Sequence, residues 1–75
     1  VIERGKADFR ARLVGLARAM DAREPEALAD GLMLLIEGAY ATCHVFGSQG
    51  PAQTMARTAD ALIDAHRRVP RNEAA

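Results

Sequence analysis

A thiol and an imidazole stand side by side at Cys43 and His44, the two residue types best suited to nucleophilic or metal chemistry in this chain. Adjacent residues on a helix diverge by about 100°, so this pair can neither chelate one ion nor act as nucleophile and base. His44 is expected to be partly buried and hydrogen bonded to a neighbour. His66, followed by Arg67 and Arg68, sits where a helix is expected to end, the place for a cation to meet the negative end of the helix dipole. Glu37 is the only acid inside the most apolar stretch, either a carboxylate that reads a ligand or an edge group bonded to Tyr40 or an arginine. The sequence has no glycine-rich phosphate loop, no paired-carboxylate site and no zinc spacing. It therefore assigns no catalytic residue, metal or cofactor, and the chain is not read as an enzyme.

The elements that position these residues are helices. Proline, glycine and cap residues divide the 75 residues into three, with no strand pattern and no internal repeat. The first is expected from Ile2 or Lys6 to Ala22, with Phe9, Leu13, Leu16 and Met20 on one stripe and Arg10, Arg12, Arg18 and Asp21 on a solvated opposite face. Pro25 begins the second, which runs to Phe46 and stops at Gly47. Its acidic start at Glu24, Glu26 and Asp30 complements the helix dipole. After a loop over residues 47–50, Pro51 opens the third, which is expected to reach Val69 and end at Pro70. Its narrow seam is Ala52, Met55, Ala59, Leu62, His66 and Val69. The tail from Arg71 to Ala75 reads as frayed.

The second helix carries the strongest signal. Leu32, Met33, Leu34, Leu35 and Ile36 span more than one helical turn, so no side of the helix there can face water. Two short neighbours cannot cover every side, and a chain of this length folding alone is marginal. A second copy is the most economical cover. Small residues mark the close contact. Ala27, Gly31, Gly38 and Thr42 form a stripe bordered by Leu34, Leu35, Ala41 and Val45, and two glycines inside a helix call for a packing explanation. Ala52, Ala56 and Ala59 leave little bulk on the third helix. The expected dimer interface therefore comprises Ala27, Gly31, Leu35, Gly38, Thr42, Met55, Ala59 and Leu62, with two helices from each chain forming a four-helix bundle.

On the other side, Met33, Tyr40 and His44 are expected to face Phe9 and Met20 of the first helix. These five either line a cavity for a small apolar ligand or fill the core.

Composition excludes other classes. With 10 basic and 10 acidic residues the formal net charge is zero, which gives no signal for nucleic acid. Cys43 is the lone cysteine, so no internal disulfide forms, as suits a reducing cytoplasm. The apolar run is broken at Glu37, far short of the roughly 20 residues needed to span a bilayer. The chain also starts at Val1 inside a helical pattern, without Met or cap, which predicts a fragment lacking its natural N-terminal portion.

From Arg23 to Ala39 the chain reads Arg-Glu-Pro-Glu-Ala-Leu-Ala-Asp-Gly-Leu-Met-Leu-Leu-Ile-Glu-Gly-Ala. This resembles the signature of the C-terminal regulatory domain of TetR-type transcriptional repressors, in which a proline-started helix carries an Asp-Pro-Glu-Ala-Leu-Ala start, a leucine run and a Gly-Ala pair. Glu24 stands here in place of the usual Asp. The preceding helix and the alanine-rich following one extend the likeness over nearly the whole chain. The resemblance implies a bacterial, cytoplasmic regulator whose last two helices form the homodimer bundle. It further implies an inducer pocket built partly from helices absent here, and a DNA-reading domain upstream that nothing in these residues matches. A purely structural helical dimerisation or interaction module without a ligand is the alternative.

Overall fold

The computed structural model describes residues 2–68, with side chains from residue 5 onward. They are all-α. Helix α1 spans Ile2–Ala19, α2 spans Pro25–Phe46 and α3 spans Met55–Ala65, with 3-10 turns at Gly47–Gln49 and Pro51–Thr54. No strand occurs among the described residues.

Helix α1 ends three residues before the expected Ala22, and its backbone shows why. The Ala22 N–H donates to Ala17 O and the Asp21 N–H donates to Arg18 O, each at 3.0 Å. Those two bonds satisfy the last carbonyls of α1 and require a left-handed residue between them. Asp21 fills that place with φ 56°. The accompanying apolar contact is also made, since Ala17 and Ala22 are both buried in the core cluster. Glu24 takes a second left-handed conformation, φ 47°, before Pro25 begins α2.

Helix α2 matches its expected span. Gly47 closes it at φ 68°, a conformation that favours glycine, with its N–H bonded to Cys43 O. Gly50 is also required, because a Cβ there would collide with Phe46. The segment from Pro51 winds first as a 3-10 turn, so α3 proper starts at Met55 and closes at Ala65, short of the expected Val69. Val69, Pro70 and the tail lie outside the described residues. Arg23 explains the early stop. Its N–H donates to His66 O at 2.8 Å and its guanidinium donates to Ala65 O at 2.5 Å, so the α1–α2 turn takes the final carbonyls of α3. His66 Nδ1 donates to Leu62 O at 2.9 Å, in keeping with the C-terminal position expected of it.

The three helices lie side by side with α2 in the middle. The Cα extents are 39 × 30 × 13 Å, a flat arrangement in which α2 contacts both α1 and α3. Among the described residues the buried side chains are Ala17, Ala22, Leu28 and Ala29, of which Leu28 is the large one. Leu32, Leu62 and Ile63 pack against this cluster.

The α1 stripe sits differently from expectation. Phe9 and Leu13 are half-buried, but Leu16 is 65% exposed and Met20 also faces outward. The small Ala17 occupies the line of closest approach to α2, which rotates Leu16 away. Arg10 and Arg18, expected on a solvated face, reach across to α2. Lys6–Glu37, Arg10–Asp30 and Arg18–Glu26 form an antiparallel ladder of ion pairs along the α1–α2 edge.

Candidate functional site

Because α1 and α3 flank α2, one face of α2 stays uncovered. Ala27, Leu34, Gly38, Ala41 and Val45 are all exposed, and their directions around the axis fall within about 60°. Leu34 is 75% and Val45 74% exposed, and with Ala27, Gly38 and Ala41 they make a contiguous apolar patch of the kind that marks an interaction surface. No charge interrupts this stripe. The acids flanking it, Asp30 and Glu37, are turned to their α1 partners. Nearby, the Thr42 hydroxyl donates back into its own helix, at 2.9 Å to Gly38 O and 3.1 Å to Ala39 O, and so brings no unsatisfied donor to an apolar contact.

The expected interface residues divide into two groups. Ala27 and Gly38 stand in the open, and a Cβ on Gly38 would meet nothing within 4 Å. Gly31 and Leu62 instead meet each other, since a Cβ at Gly31 would lie 2.8 Å from Leu62 Cδ2. Half of the glycine signal therefore belongs to packing inside the chain. Leu35, Thr42 and Ala59 are half-buried, and Met55 is partly exposed at the mouth of a groove. Leu34 and Val45, read as borders of the stripe, are its most exposed large groups.

An open hollow of about 500 Å³ lies on the other flank of α2. Ile36, Ala39, Tyr40 and Cys43 of α2 form one wall, and Ala52 and Met55 form the opposite one. Lys6 and Glu37, paired at 2.5 Å, close one end. Glu37 thus pairs with a lysine of α1 rather than with Tyr40 or an arginine. Nothing in the spacing of α1 marked Lys6; the helix crossing brings it there. Ala39 and Met55 also line a second hollow of about 260 Å³, beside Leu34, Gly38 and Thr42. One shared wall therefore separates the cavity from the edge of the exposed stripe.

Of the five expected pocket residues, only Tyr40 lines the main cavity. His44 is exposed, not partly buried, and meets the Tyr40 ring edge-on, with centroids 5.2 Å apart at 86°. Met20 lies in a separate hollow beside Asp21, Arg67 and Arg68. Phe9 and Met33 are half-buried along the helices. The reason is the rotation of α1, which turns its Leu16–Met20 side away from α2. Tyr40 is 72% exposed, so within this chain it is not a core side chain.

No family model, no curated protein and no solved structure matches this chain. Among the described residues no group of three or more His, Cys, Asp or Glu is placed to hold a metal ion. No described helix is long and apolar enough to cross a membrane.

Electrostatics at the site is local. Arg10 donates to Asp30 through Nε at 2.5 Å and Nη2 at 3.2 Å, and this two-point bond holds the Asp30 carboxyl below its ordinary range.

Proposed function

We propose that this chain is the homodimerisation and regulatory module of a TetR-type transcriptional regulator. A second copy packs on the outward face of α2 and the adjoining edge of α3 to complete a four-helix bundle. The uncovered apolar stripe carries the reading, because a folded domain needs a second layer over its hydrophobic face. Ala27, Gly38 and Ala41 let two α2 backbones approach, with Leu34 and Val45 as the flanking bulk. The sequence likeness over residues 23–39 supplies the family.

The regulatory half of the reading rests on the cavity, whose Ala39–Met55 wall also borders the groove beside Gly38 and Thr42. A small molecule seated there touches a side chain that also borders the interface. DNA would be read by another part of such a regulator. The scattering of the five expected pocket residues favours the second reading, a structural dimerisation module without a ligand.

Sedimentation equilibrium at micromolar concentration tests the proposal. The expected result is twice the 8.1 kDa chain mass, and a stable, well-folded monomer overturns it. The isolated chain is also expected to bind DNA weakly and without sequence preference. Nanomolar affinity for one duplex in physiological salt would contradict that.

A further inference from the structure

The cavity between α2 and the Pro51–Met55 segment has a wall chemistry that favours one kind of ligand. Ile36, Ala39 and Ala52 offer plain apolar surface, while Tyr40 and Met55 add a ring and a polarisable sulfur. Its two charged groups, Lys6 and Glu37, are bonded to each other. An ionic ligand must therefore displace one of them, and the two differ in how readily they leave. Lys6 reaches the site on a long stem from another helix, and its ammonium can swing into water. Glu37 lies three residues before Tyr40 on α2, so carboxylate and ring are neighbours on one helix surface. A ring attracts a cation through its face, and the carboxylate adds to that attraction.

We propose that this cavity binds a lipophilic organic cation, with its apolar groups between Ile36, Ala52 and Met55 and its charge beside Glu37 and Tyr40. The inference rests on reading the cavity as a ligand-sensing site. A volume of about 500 Å³ suits a drug-sized molecule.

The test uses two ions of the same shape and opposite charge, tetraphenylphosphonium and tetraphenylborate, titrated in sodium buffer into the isotopically labelled chain and followed by NMR. The phosphonium is expected to shift the amides of residues 36–43 and the Met55 methyl saturably, and to bind more tightly than the borate. Glu37→Gln is expected to weaken phosphonium binding about threefold, and Lys6→Gln to strengthen it by a similar factor, since each changes one exposed charge. Circular dichroism verifies that both variants remain folded. Tighter binding of the borate, or opposite signs for the two variants, overturns the cation inference and leaves the sensing reading intact. Shifts centred on Leu34, Ala41 and Val45 also overturn it, because the ion then covers the exposed stripe. No saturable binding of either ion overturns the cation inference alone, because a neutral apolar ligand is mimicked by neither ion. The dimer stands or falls separately, on sedimentation without ligand.

Discussion

A methyl group on Gly31 would stand 2.8 Å from Leu62 Cδ2, so α2 and α3 pack as closely as they do because residue 31 has no side chain. Gly31→Val is expected to destabilise the chain by about 1–3 kcal/mol through overpacking. Gly31→Ala is expected to be nearly neutral, because the end of Leu62 can swing aside while alanine gains about 0.5–1 kcal/mol of helix preference. Urea denaturation of the two variants measures the difference, and equal effects would contradict the packing described.

Gly38 is the counterpart with nothing above it. In a lone chain Gly38→Ala would gain the full helix preference of about 0.5–1 kcal/mol. If the proposed partner packs on this stripe, Gly38→Leu weakens the dimer by about 1–3 kcal/mol. Thermal melts repeated over a range of protein concentrations read both. A Gly38→Leu variant that dimerises as well as the parent removes Gly38 from the interface.

Tyr40→Ala is expected to change stability by no more than about 0.5 kcal/mol, as for other surface substitutions, because the ring is 72% exposed. A buried aromatic would cost about 3–5 kcal/mol. Chemical denaturation distinguishes the two at once.

Asp30 predicts an acid-sensitive α1–α2 edge. Its folded carboxyl lies below the ordinary value of 3.8, chiefly because Arg10 bonds the ionised form. A depressed carboxylate contributes stability that is fully present above its unfolded value and lost as pH falls through the folded one. Stability is therefore expected to decline below about pH 4. Asp30→Asn should flatten that decline, and salt should reduce the contribution at neutral pH. An unchanged acid profile in Asp30→Asn would remove this pair as the cause.

Arg23→Ala is expected to loosen the end of α3. It deletes the guanidinium bond to Ala65 O while leaving the backbone bond to His66 O, a loss of about 1 kcal/mol. Faster hydrogen exchange at amides near residue 66, with α1 unaffected, is the expected signature.

Local chemistry in the sequence determined the all-α class, the start of α2 at Pro25 and its stop at Gly47, because proline and glycine restrict backbone angles wherever the chain goes. The same holds for the excess of apolar surface on α2, since five consecutive large side chains cover more than a full turn of any helix. Which of those side chains found cover was decided only by tertiary structure. Leu32 packs against the buried cluster of Ala17, Ala22 and Leu28 while Leu34 is left outside, and that depends on α1 and α3 flanking α2. The two glycines looked equivalent by spacing, yet Leu62 of α3 fills the space over Gly31 and nothing covers Gly38. Helix ends were legible where proline or glycine set them and misread where they depended on distant partners. Aspartate at position 21 takes a left-handed turn usually given to glycine, and Arg23 captures carbonyls more than 40 residues away. The cavity was hidden for the same reason. Lys6 and Glu37 are 31 residues apart, and only the crossing of α1 over α2 makes them neighbours.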